Sequence, residues 1–99
     1  MKIILDDKRV FPTKGGYNCV RTYEDCTLLL ITFKELSFIS LDYDLSSEYT
    51  GYDVLVYMDE SGIRPRQINI HSSHQFGKSR MVRYAKKHFP STVITENRL

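Results

Sequence analysis

The amino-acid sequence predicts an α/β fold whose strands run parallel. Five short apolar or β-branched runs, each bounded by turn residues, read as strands. From the second strand onward they alternate with helical patterns, the signature of parallel strands joined by right-handed crossovers. Within Ile3-Ile4-Leu5 no polar residue alternates with the apolar ones, as expected of a strand covered on both faces.

The first strand is Lys2-Ile3-Ile4-Leu5-Asp6, and the second, weaker one is Asn18-Cys19-Val20-Arg21. Between them Lys8 to Tyr17, with Pro12 and Gly15-Gly16, reads as a loop. Thr22 is a natural N-cap for a first helix, its hydroxyl accepting an otherwise orphaned backbone N–H. Tyr23, Cys26, Leu29, Leu30 and Phe33 follow at three- and four-residue steps and mark that helix's inner face. Phe38-Ile39-Ser40-Leu41-Asp42 is the third strand. Thr50 can cap a second helix running to about Ser61, with Val54, Leu55 and Met58 inward and Gly62 as its stop. Gln67-Ile68-Asn69-Ile70-His71 is the fourth strand. A third helix is expected from about Lys78 to His88, with Met81, Ala85 and Phe89 on one side and Pro90 ending it. Thr92-Val93-Ile94-Thr95 is the fifth strand, after which only Glu96 to Leu99 remain for a last helix.

The 99 residues suit one domain, here taken as 1–99. The 41% hydrophobic and 26% charged content is that of a folded chain rather than a disordered one. No apolar run reaches the ~18–20 residues of a membrane span, and the N-terminus turns acidic too soon for a signal peptide, so a cytoplasmic location is expected. Cys19 and Cys26 have no CxxC spacing and are expected as buried, reduced thiols. The net charge of +2 conceals a split. Residues 1–62 carry six Lys/Arg against eleven Asp/Glu, whereas residues 63–99 carry eight against one. The basic third helix, near 78–88, is either a solvated face or a weak contact for nucleic acid.

In an open parallel sheet, ligands bind beyond the carboxyl ends of the strands, where strand order reverses. With strands ordered 2-1-3-4-5, that rim gathers Asp6-Asp7, Asp42 with Asp44, and His71-Ser72 with Ser73-His74 beyond. Crowded carboxylates favour retained protons or a cation between them, and oxygen ligands suit Mg²⁺ or Mn²⁺. Asp6, Asp7 and Asp42 are the candidate metal ligands. A zinc site at His71 and His74 is poorly supported, since no Cys partner lies nearby. Ser72 to Ser79 nearly matches the phosphate loop GxxxxGK[ST] but lacks its first glycine. The backbone at Gly77, at the start of the third helix, remains a candidate phosphate contact together with Ser72, and Arg80 is a candidate clamp. His71 is a candidate proton donor, with Asp44, His74 and Arg9 as secondary members.

These residues resemble the receiver domains of two-component signalling: an acidic pair after strand one, an aspartate ending strand three, a hydroxyl residue ending strand four. The short Lys8–Tyr17 connection and the lack of a lysine in the fifth strand depart from that pattern. The similarity is closer to the cyclic-phosphate processing receiver domains, a divergent group. It rests on Leu5-Asp6-Asp7, Ser40-Leu41-Asp42-Tyr43-Asp44-Leu45, Thr50-Gly51-Tyr52-Asp53-Val54, and His71-Ser72-Ser73-His74-Gln75-Phe76-Gly77 followed by Met81. His74 stands where that family has asparagine. The resemblance implies a flavodoxin-like three-layer sandwich with first and last helices reduced or missing. It also implies metal-dependent phosphoesterase chemistry on a cyclic phosphate of a nucleotide or RNA end, with Asp42 and His71 catalytic. The alternatives are a non-catalytic pseudo-receiver that senses a ligand or docks a protein, and a phosphoacceptor at Asp42.

Overall fold

The computed structural model describes residues 1–9, 11, 15–33 and 35–97; Pro12 and residues 98–99 of the sequence reading fall outside them. Strands β1 (Lys2–Leu5), β2 (Tyr17–Val20), β3 (Phe38–Leu41), β4 (Gln67–Ile70) and β5 (Val93–Glu96) form one parallel sheet ordered β2-β1-β3-β4-β5. Helices α1 (Tyr23–Thr32), α2 (Gly51–Glu60) and α3 (Gln75–His88) connect successive strands from β2 onward. This is the expected flavodoxin-like receiver topology, with three helices among the described residues.

The crossovers β2–β3, β3–β4 and β4–β5 all step in one direction across the sheet, so right-handedness sends all three helices to the same face. Between β1 and β2 the chain steps the opposite way across the sheet. Ile3, Leu5, Ile39, Leu41, Ile68 and Ile70 accordingly form one core with Cys26 and Leu30 of α1, Val54, Leu55 and Met58 of α2, and Met81 and Ala85 of α3. Burying each large aliphatic side chain contributes roughly 1.5–3 kcal/mol. Ile4, Ser40 and Asn69 point to the opposite face, in register with one another, and are also buried. No helix among the described residues covers that face. None is long and apolar enough to cross a membrane.

Local signals account for most boundaries. Thr22 Oγ1 accepts the Asp25 N–H at 3.0 Å, and Glu24 and Asp25 complement the positive end of the α1 dipole. The Thr50 N–H donates to Asp53 Oδ2 at 2.7 Å, half of a reciprocal capping arrangement at the start of α2. Gly62, at φ +72°, ends α2, and the following Ile63 N–H reaches back to the Met58 carbonyl.

Three expectations need correction. Phe33 lies beyond the last turn of α1 and is 55% exposed rather than inward. Cys26 is buried, its thiol pushed up to about 12 by desolvation, but Cys19 is exposed because β2 is an edge strand. Helix α3 starts at Gln75, three residues before Lys78, because His74 serves as its N-cap: His74 Nδ1 accepts the Gly77 N–H at 2.9 Å. Histidine is not among the usual N-cap residues, so the sequence gives no start signal there.

Candidate metal and phosphate site

Each strand stops one residue before the chemistry, yet the ladder runs on. The N–H of Asp6 donates to Val20 O (3.1 Å), that of Asp42 to Leu5 O (3.0 Å) and that of His71 to Leu41 O (3.0 Å). Strand residues two apart share a face, so Asp6, Asp42 and His71 project beyond the in-register row Ile4–Ser40–Asn69. Ligand atoms of these three side chains all lie within 4.8 Å of one another. The separate stretches of sequence thus meet in one place.

A crevice of about 270 Å³ opens at this point, lined by Asp6, Asp7, Lys8, Arg9, Asp42, Asp44, Ser72, Ser73 and His74. Asp6 is 2% exposed. Its Oδ1 accepts the N–H groups of Lys8 and Arg9, both at 2.9 Å, and its Oδ2 lies 3.0 Å from His71 Nε2. The Arg9 side chain is mostly exposed, with Nε 3.9 Å from the same carboxylate. Arg21, which the sequence reading passed over, secures this turn by donating to the carbonyls of Asp6 and Arg9.

Behind the crevice, polar side chains cross the sheet in a continuous row. Gln67 Nε2 donates to Thr95 Oγ1 (3.0 Å), Thr95 Oγ1 to Asn69 Oδ1 (2.8 Å), and Asn69 Nδ2 to Ser40 Oγ (2.9 Å). Ser40 Oγ lies 2.6 Å from His71 Nδ1. With Asn69 donating to it in a buried setting, the Ser40 hydroxyl gives its own proton to Nδ1. That places the ring proton on Nε2, facing Asp6. His71, 1% exposed, is thereby engaged at both nitrogens, and the ring of Phe11 covers it edge-on at 5.5 Å. The expected proton donor to a ligand stands behind Asp6 and not in the lining of the crevice.

Other expected members are placed as follows. Asp7 Oδ2 accepts from Ser46 Oγ at 2.5 Å, while its Oδ1 is buried without a partner among the described residues. Asp44 Oδ1 accepts the Ser46 N–H, so Ser46, at φ +55°, joins the loop after β3 to the loop after β1. Ser72 Oγ accepts the His74 N–H at 3.1 Å and its hydroxyl supports Asp42. The Gly77 N–H is engaged by His74 and so is not free for a phosphate oxygen. Gly77 instead makes room for Tyr43, since a Cβ there would lie 2.3 Å from that ring. Arg80 is not brought to the crevice; its guanidinium lies over Tyr52, 4.4 Å from the ring centroid.

Desolvation pushes the Asp6 carboxyl up, but the Arg9 and Lys8 N–H groups and His71 outweigh it and hold its pKa below the ordinary 3.8. Asp42 has fewer donors. Desolvation and then the charge of Asp6 raise its pKa above 3.8. Desolvation lowers His71 below 6.5 despite the attraction of Asp6, so the ring is neutral at pH 7. A depressed histidine stabilises the fold fully above pH 6.5, and that contribution erodes as pH falls from 6.5 towards the folded value. Asp42 acts in the opposite sense, since its ionisation in the folded state lowers stability as pH rises from 3.8 through its raised value. As pH falls below 6.5 the loss of the histidine contribution is expected to show as a lower thermal midpoint at pH 5.5 than at pH 7.5, with the drop diminished in His71→Gln.

The donor set fits a hard divalent cation. Asp6 and Asp42 offer carboxylate oxygens close together, and Asp7, which lines the same crevice, has a buried Oδ1 with no partner among the described residues, a partner that a cation would supply.

A parallel sheet in this order, with acidic residues beyond its first and third strands, defines a receiver-like α/β domain. The chain belongs to the cyclic-phosphate processing receiver domain family, whose model matches residues 1–87. No curated protein and no solved structure matches it.

Proposed function

We propose that the crevice binds a divalent cation together with a cyclic phosphate on a nucleotide or RNA end and hydrolyses the ring. The observation that carries this reading is the convergence of Asp6, Asp42 and Asp7 on one small polar crevice, beside the hydroxyl of Ser72 and the imidazole of His74. Asp6, Asp7 and Asp42 would hold Mg²⁺ or Mn²⁺, which when bound neutralises phosphoryl charge. Ring opening adds water across one P–O bond: phosphorus gains the water oxygen, and the released ester oxygen takes one of its protons. Asp42, at the centre of the acidic group that lines the crevice, is the carboxylate placed to carry that proton. His74 accepts the Gly77 N–H at Nδ1, which leaves its proton on Nε2 as a donor for a phosphoryl oxygen. His71 acts as a positioning residue that fixes the Asp6 carboxylate.

The test is ³¹P NMR of a 2′,3′-cyclic mononucleotide and of an RNA oligonucleotide ending in a cyclic phosphate, each with protein and Mg²⁺ or Mn²⁺. Conversion to a monoester, slowed on the order of 100-fold or more by Asp42→Asn, is the expected result, general acid–base contributions being of that size. Cation binding with no turnover of either substrate would overturn the catalytic reading in favour of a ligand-sensing pseudo-receiver.

A further inference from the structure

A second polar surface lies on the outer side of the helical layer. Phe76, Arg80, Tyr84 and His88 recur at four-residue steps and so form one stripe along α3. Planar groups are stacked along it. The Arg80 guanidinium is 5.8 Å from the Phe76 ring centroid and 4.4 Å from that of Tyr52 on α2. Tyr52 meets Tyr84 edge-on at 5.2 Å, and Tyr84 stacks on His88 at 4.1 Å with the planes 22° apart. Asp59 of α2 fixes the far end of the row, accepting from the Tyr84 hydroxyl at 2.8 Å and lying 3.2 Å from His88 Nδ1. Arg64 in turn pairs with Asp59 at 2.8 Å, so that carboxylate is already neutralised by its neighbours. Arg83 and Lys87, both exposed, border the stripe, and with Tyr52, Arg80, Tyr84 and His88 they line a groove of about 290 Å³.

We propose that this α2–α3 groove binds single-stranded nucleic acid, with planar side chains stacking against bases and Arg83 and Lys87 holding phosphates. Three features favour this partner. The groove combines cations with ring and guanidinium faces, the pairing that single strands use and that an acidic peptide does not need. Phe76, at the end nearest the crevice, is 68% exposed and offers a ring face to solvent. From Phe76 to His88 the stripe extends about 18 Å at 1.5 Å per residue, a length suited to several nucleotides rather than one. The rows are held by contacts within the protein, so the stacking surface exists before the strand arrives.

The test is fluorescence anisotropy with a labelled 12-nucleotide oligouridylate bearing hydroxyls at both ends, titrated with the full chain at 50 mM salt. Because no terminal phosphate is present, the result is independent of the cyclic-phosphate reading. Binding is expected, with log Kd against log salt changing by about 0.7 for each phosphate neutralised. Arg83→Glu/Lys87→Glu is expected to weaken binding at least tenfold and flatten the salt slope. Phe76→Ala is expected to weaken it several-fold at unchanged slope. All three residues are exposed, so the variants should melt as the parent does. Absence of binding, full affinity in both variants, or equal affinity for a poly-glutamate peptide or a duplex of the same length would overturn the proposal.

Discussion

Gly51→Ala is expected to be the most destabilising single-methyl addition in this protein, lowering the unfolding free energy by about 3 kcal/mol, the upper part of the usual range for overpacking. A Cβ at Gly51 would lie 2.0 Å from the carbonyl oxygen of Asp42 and 2.8 Å from Met81 Cε. The first obstacle is backbone, and that backbone is held: the Asp42 N–H is in the sheet ladder, and the Gly51 N–H donates to the Tyr43 carbonyl at 2.9 Å. Relief therefore requires moving the segment that presents Asp42. Gly77→Ala has a ring as its obstacle, which can tilt, and should cost less. Chemical denaturation of the two variants checks the ranking, and equal stability of Gly51→Ala and the parent would contradict the packing described here.

His71→Leu is expected to cost about 3 kcal/mol, the upper end of the usual penalty for leaving a buried polar group without its partner, because the group left behind is a carboxylate. Leucine fills much of the imidazole volume, so the loss is mainly polar. Asp6 loses the donor to its Oδ2, and the Ser40 proton loses its acceptor, both out of reach of water. Ser40→Ala, which breaks the same row one step further from the charge, should cost about 1–3 kcal/mol. A double-mutant cycle pairing His71→Leu with Asp6→Asn is expected to show coupling, because the neutral amide no longer leaves a bare charge behind. Additive losses would mean that the two side chains act separately.

Most of the architecture was legible from the pattern of residues, and the reasons are local. Thr22, Thr50 and Gly62 carry their own start and stop chemistry, and Val54, Leu55, Met58, Met81 and Ala85 fall inward as their spacing requires. The rim was legible too, because strand ends in a parallel sheet converge whatever the loops do. What stayed hidden depends on partners distant in sequence. Ser40 and Asn69 sit in runs that read as apolar, and only the register of β3 against β4 reveals that they touch. Arg80 is four residues past Phe76 on a helix that starts at Gln75 without a usual N-cap signal, and its attraction to Tyr52 belongs to another helix altogether. Gly77 carries the look of a phosphate loop, but its absent side chain serves the ring of Tyr43. The same holds for His71, whose strand-end position says nothing of the shell formed over it by Phe11 and Ser40.

The row from Gln67 to Asp6 has a sense of travel: every proton in it is donated towards the acid. Turning the buried Ser40 hydroxyl around would set two lone pairs, or two hydrogens, face to face with no water to intervene. The row therefore has no half-reversed state of comparable energy, and its donors all point towards the acid through residues of β5, β4 and β3 to the end of β1. An amide and a hydroxyl at one margin of the sheet thus contribute to the electric field at a carboxylate on the other side of it.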